Sequence, residues 1–218
     1  MALAPLRIDF VSDVTCPWCA IGLRALEQAI ACLGDAVPVE LHLQPFELNP
    51  GMARDGEPIA DYAARKHGAS ADALAARQAL IRQRGAEVGF AFATRTHVYN
   101  TFDAHRLLHW AGLEGKALDL KRALLVAYHG RGENPALHDV LLRAAGEVSL
   151  DVERAREVLA SAAYAEEVHD SVRYWQRLGI DSVPSVVIDG RYLIQGGQAV
   201  EGFERALRQI ADEAHATT

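Results

Sequence analysis

Apolar positions change their period several times along the chain. Leu6, Ile8 and Phe10 alternate with Arg7 and Asp9, a period of two that predicts a strand with one face in a core. From Cys16 the spacing lengthens. Ile21, Leu23, Ala25, Leu26 and Ile30 predict a helix buried over a broad face, with Cys32 as a buried residue of its last turn and Gly34 as its C-cap. Asp35 to Pro38 forms a turn, and Val39 to Phe46 alternates again as a second strand. Strand, helix, strand is a βαβ unit, and its right-handed crossover puts the helix start at the carboxyl edge of the sheet.

From about Glu57 to Ala163 alanine, leucine and arginine recur at helical spacing with no convincing strand. Pro58 opens one helix that Gly68 ends, and Ser70 with Asp72 caps a second that runs to about Gly89. Asn100 or Thr101 caps a third, Leu118 to Tyr128 forms a fourth, Leu137 to Ala145 a fifth, and Asp151 caps a sixth. No fixed period recurs, so the segment reads as a helical bundle and not a solenoid. A longer helix follows with Tyr164, Val168, Val172, Trp175 and Leu178 on one stripe. Ser185 to Ile188 and Tyr192 to Ile194 flank the hairpin turn Asp189-Gly190. Gly196-Gly197 then leads to a last helix packing Val200, Phe203, Leu207 and Ile210, with a frayed polar tail from Ala214. The predicted class is α/β, in the order β-α-β, helical insertion, α-β-β-α. One domain is formed by residues 1–56 and 164–218, and 57–163 is the insertion.

Composition narrows the function. With 29 acidic against 22 basic residues and a net charge of −7, neither nucleic acid nor a polybasic membrane contact is an expected partner. Met1-Ala2-Leu3-Ala4-Pro5 lacks a basic n-region and a long apolar stretch, and no run approaches transmembrane length. A cytoplasmic protein is expected, and a disulfide in that compartment is catalytic more often than structural.

The candidate chemistry lies where the first strand gives way to the helix, at Cys16-Pro17-Trp18-Cys19. Two cysteines two residues apart at a helix start can close a small disulfide ring, and the helix's unpaired N–H groups favour thiolate on the first. Pro17 suits the first turn. Zinc needs four ligands. The only other cysteine is Cys32, and His105 and His109 share H-x₃-H spacing of the kind helices produce by chance. A C-x-x-C beside a βαβ pattern therefore reads as a thioredoxin-like redox motif. Val183-Pro184-Ser185, just before the buried strand, places a proline where it cannot donate to the ladder and where a cis bond costs little.

These features together resemble the DsbA-like thioredoxin-fold family, and within it the cytoplasmic FrnE-like branch, over essentially the full length. The resemblance rests on Cys16-Pro17-Trp18-Cys19, the insertion with its segment Asn100 to Leu107, Val183-Pro184 and Gly196-Gly197-Gln198. It implies a thiol:disulfide oxidoreductase with Cys16 attacking, Cys19 resolving, Pro184 cis beside them, and the Val183 backbone pairing with substrate. Pro17 and Trp18 would contribute to substrate binding. No cofactor beyond the redox-active pair is implied, with glutathione or thioredoxin as candidate electron partners and thiol- or disulfide-bearing proteins or small molecules as substrates. Trp18 stands where strongly oxidising relatives carry histidine, so a less oxidising couple is expected. His105 reads as a helix-face filler. Two alternatives use the same layout: a glutathione-dependent isomerase or transferase similar to 2-hydroxychromene-2-carboxylate isomerase and the kappa-class transferases, which typically carry serine at the Cys16 position, and a non-enzymatic chaperone or adaptor.

Overall fold

The computed structural model describes residues 5–216. Met1 to Ala4, where the absence of a leader is expected from the sequence, and the end of the tail, Thr217 and Thr218, lie outside the described residues. In chain order the protein runs β1 (Leu6–Ser12), α1 (Pro17–Leu33), β2 (Val39–Pro45), β3 (Glu57–Pro58), α2 (Ile59–His67), α3 (Ala71–Glu87) and β4 (His97–Val98). It continues with α4 (Phe102–Leu113), α5 (Ala117–Leu125), a π-helical turn (Val126–Gly130), α6 (His138–Glu147), α7 (Val152–Ala160) and α8 (Ala165–Arg177). The chain closes with β5 (Ser185–Ile188), β6 (Tyr192–Gln195) and α9 (Val200–Ala216).

The main sheet has the order β2-β1-β5-β6, with β1 and β2 parallel and the other pairs antiparallel. On one face Leu6, Ile8 and Phe10 pack against Leu23 and Leu26 of α1 and Phe203 and Leu207 of α9. On the other, Val11 meets Phe46, Trp175 and Ile180. β1 is thus covered on both faces, not on one as its alternation predicts. Asp9 is buried because Arg7 and Gln44 bond its carboxylate at 2.9 and 2.6 Å. Helices α4 to α7 enclose a separate apolar core, which also takes in Val14 from the loop between β1 and α1. The helical insertion thereby grips the segment that leads into the cysteine pair.

Several local expectations need correction. The insertion carries a two-stranded sheet, β3 with β4, too short to show as a pattern. The expected fourth helix widens into the π turn after Leu125. Cys32 is exposed, because it lies off the Ala25, Ala29, Leu33 stripe of α1. On α8 only Val168 and Trp175 are buried; Leu178 is 58 % exposed, and Tyr164 is the N-cap in a left-handed conformation. α9 extends past Ala214 to Ala216. The Asp189-Gly190 turn has positive φ at both residues, as a tight hairpin between right-twisted strands requires.

Candidate active site

Cys16 is the N-cap of α1 in an extended conformation (φ −82°, ψ 115°), with Pro17 in the first turn, where a missing N–H costs nothing. Its carbonyl accepts the N–H groups of Cys19 at 3.1 Å and Ala20 at 3.4 Å. Both thiols are free and buried, Cys16 at 4 % and Cys19 at 0 % exposure. Cys16 Sγ donates to the Val183 carbonyl at 3.5 Å, and the Val183-Pro184 peptide is cis. The proline loop can come so close because α1 offers Gly22: a β-carbon there would stand 3.1 Å from Pro184 Cγ and 3.4 Å from Gly197 Cα. Gly197 in turn lies against the Trp18 backbone.

Polarity divides the two sulfurs. A hydrogen bond from the Cys19 thiol holds Cys16 below the usual thiol value, against its burial, and the N–H groups of Cys19 and Trp18 add to the effect. Burial first, and then the neighbouring Cys16, push Cys19 well up.

Beneath the pair lies a buried polar cluster. Asp13 accepts from the Thr15 N–H at 3.1 Å and the Leu48 N–H at 2.7 Å. His105 Nε2 stands 3.8 Å from Asp13 Oδ1, within ion-pair range but beyond hydrogen-bond reach. Burial pushes the Asp13 carboxyl up, but His105 and the two backbone N–H groups outweigh it and hold it down. His129, in the π turn, contacts the Val14 carbonyl at 3.0 Å through Nε2, which must carry the proton because a carbonyl only accepts. Burial, then Arg95, keep His129 well below the usual imidazole value. Lys121 on α5 is 1 % exposed; burial lowers its pKa, while Cys19, Asp13 and Cys16 act in the opposite sense. Glu47, next to Leu48, is pushed up to about 7 by burial and by Asp13.

A cleft of about 250 Å³ opens on Cys16, Pro17, Trp18 and Val183, walled opposite by α2 and α3. Cys19 and Pro184 are buried behind it. The six residues singled out from the sequence thus gather at one locus. His105 joins the polar cluster beneath and does not line the cleft. His109 instead packs on Tyr164, with ring centroids 5.2 Å apart. Among the described residues no cluster of three or more histidine, cysteine or acidic side chains is arranged to hold a metal. Sequence reasoning missed Asp13, Glu47, Lys121 and His129. Lys121 did leave a signal, since helical spacing puts it on the apolar stripe of Leu124, Leu125 and Tyr128.

Residues 7–208 match the model of the DSBA-like thioredoxin domain, and the chain belongs to that family. A probable DsbA oxidoreductase from Streptomyces coelicolor is 35% identical and superposes with a TM-score of 0.88, over 94% of this chain and 89% of that one. 2-Hydroxychromene-2-carboxylate isomerase shares the fold at 15% identity and a TM-score of 0.74, over 97% and 99% of the two chains. The cytosolic disulfide reductase DsbM from Pseudomonas aeruginosa, solved with GSH, shares it at 18% identity and a TM-score of 0.64, over 93% and 98%.

Proposed function

We propose that the protein is a cytoplasmic thiol:disulfide oxidoreductase of the FrnE-like kind, working through a mixed disulfide on Cys16. The observation that carries this reading is the placement of two free thiols at one helix start, Cys16 as the N-cap with its Sγ 3.5 Å from the Val183 carbonyl and Cys19 behind it. The opposed directions in which their surroundings push them, Cys16 down and Cys19 up, agree with it. Cys16 as thiolate attacks a substrate disulfide, forming the mixed disulfide and releasing one substrate thiolate. Val183 offers its backbone beside the reacting sulfur. Cys19 then loses its proton and attacks Cys16 Sγ, which frees the second substrate thiol and leaves the Cys16–Cys19 disulfide. A thiol reductant returns the pair to the dithiol, and the DsbM structure with GSH supports a low-mass thiol in that role. The intact pair favours this reaction over the isomerase alternative, which needs no second thiol.

Thiolate absorbance of the reduced protein against pH tests the reading. Cys16 is expected to titrate well below the free-thiol value of about 8.5, with Cys19 silent until above it. A single transition near 8.5 removes the basis for the mechanism. A Cys19→Ala variant is expected to retain substrate covalently on Cys16, and recovery of no adduct speaks for an adaptor.

A further inference from the structure

The cleft beside Cys16 is cationic in an anionic protein. Lys66, Arg77 and Arg95 line it, and the only acid on its wall is the exposed Asp181. Most lysines and arginines of the chain sit in ion pairs. Among the described residues, none of these three has a carboxylate partner, although acids outnumber bases. Neutral groups hold two of them in place. Lys66 Nζ donates to Leu48 O at 3.0 Å and Asn49 Oδ1 at 2.9 Å. The half-buried Arg95 lies over the Tyr128 ring at 5.3 Å and donates to its hydroxyl at 3.4 Å. Both have N–H donors to spare. His67 on the same wall is lowered by burial and then by Arg77 and Lys66, in keeping with a positive local field. Trp18, Ile59, Leu74, Ile81 and Val98 add apolar surface, beside the neutral polar groups of Thr15, Asn49, Tyr62, Gln78 and Ser182. At about 250 Å³ the space falls short of the roughly 300–1,000 Å³ of drug-sized sites, so it suits a compact ligand and not a folded chain.

We propose that this cleft selects low-molecular-mass disulfides bearing carboxylates, with the reacting sulfur at Cys16 and a carboxylate held among Lys66, Arg77 and Arg95. The proposal rests on the oxidoreductase reading of the pair. Cys16 S⁻ bonds to one substrate sulfur as the substrate S–S bond breaks, and the first half leaves as a thiolate that takes a proton from water. Cys19 gives up its proton, its sulfur bonds to Cys16 Sγ, and the second half leaves as a thiol. The substrate gains two electrons and two protons, and the protein dithiol is oxidised to its disulfide.

The test compares second-order rates at which the reduced protein is oxidised by dithiodipropionate (dianionic), hydroxyethyl disulfide (neutral) and cystamine (dicationic). Free thiols are counted by alkylation and mass spectrometry, and each rate is normalised to that of 2-mercaptoethanol with the same probe. The net charge of −7 by itself ranks the cation first. The cleft is expected to reverse that order, with the dianion favoured over the neutral probe by about tenfold at low salt and less at high salt. In the Arg77→Gln/Arg95→Gln double variant the ratio is expected to fall by at least about threefold, whereas Arg82→Gln, on α3 but outside the cleft, leaves it unchanged. A dianion-to-neutral ratio at or under one in the wild type overturns the proposal, as does a double variant that keeps the wild-type ratio. If no probe oxidises the pair, the oxidoreductase reading itself fails, an outcome distinct from equal rates.

Discussion

At the scale of single residues, a buried ammonium beneath two thiols has a direct consequence for catalysis. Lys121 lowers the pKa of Cys19, the thiol that must lose its proton before it can resolve a mixed disulfide. Lys121→Met keeps the apolar stem and deletes the charge, so Cys19 is expected to titrate higher and resolution to slow by roughly tenfold, the equivalent of about 1.4 kcal/mol. Rapid-quench mass spectrometry is expected to show the Cys16 adduct accumulating; an adduct lifetime equal to wild type would detach Lys121 from the resolving step. Glu47 acts on stability. Its folded pKa of about 7 lies above the ordinary carboxyl value, so the stability gained from keeping it neutral is full under pH ~4.3 and lost as pH rises to about 7. Glu47→Gln removes this dependence. Urea unfolding between about pH 4 and 8 is expected to show the variant gaining on wild type by about 1–3 kcal/mol, and a constant difference would contradict the assigned shift. The two cysteines were legible because their spacing is itself chemistry, whereas Lys121 and His129 acquire meaning only when a distant helix folds over Val14.

Among the elements, α1 has two demands to meet at once. It must bury a broad apolar face under the sheet and also let the Val183-Pro184 loop reach Cys16. Gly22 meets the second at some cost in helix propensity, about 1 kcal/mol relative to alanine. Gly22→Ala recovers that propensity but drives a methyl group against a proline ring and the Gly197 backbone, neither of which rotates away. Overpacking of this kind costs about 1–3 kcal/mol. The variant is therefore expected to lose up to about 2 kcal/mol net, a fall in Tm of a few degrees for a chain of this size, and to react more slowly with disulfides as Val183 shifts from Cys16. Thermal unfolding and the oxidation rate measure the two effects; a variant more stable than wild type and equally fast would mean that the loop yields freely. Elements with a strong period or cap were legible: Ser70 does accept from the Ala73 N–H, and Asp151 from the N–H groups of Glu153 and Arg154. What escaped were features set by tertiary pairing, such as β3 with β4, two residues each, and the π turn that points His129 at Val14.

Across the whole molecule, the order of elements could be read from the sequence, but the way the insertion is fastened to the redox loop could not, since Val14 in the insertion's apolar core and Asp13 beside His105 carry it. That attachment brings Lys121, His105 and His129 beneath the cysteines and couples their chemistry to global stability. A thiol held low in the folded state stabilises the reduced protein from its folded pKa upward, by about 1.4 kcal/mol for each unit of lowering, with the full contribution reached above the unfolded value of about 8.5. Cys19, held high, contributes in the opposite sense: its stabilisation is intact under about 8.5 and is lost as pH rises toward its own folded value. The oxidised protein has neither thiol. Its disulfide restrains the unfolded chain by an amount independent of pH, so the slope and not the offset is diagnostic. The stability of the reduced form minus that of the oxidised form is expected to rise with pH from the acid side, to peak near about 8.5, and to fall beyond it. Denaturant unfolding of both forms at a series of pH values measures the curve. A difference that stays flat from roughly pH 5 to 9 would mean that the fold does not polarise the two thiols in opposite directions, and with that the mechanism built on Cys16 and Cys19 would lose its energetic footing.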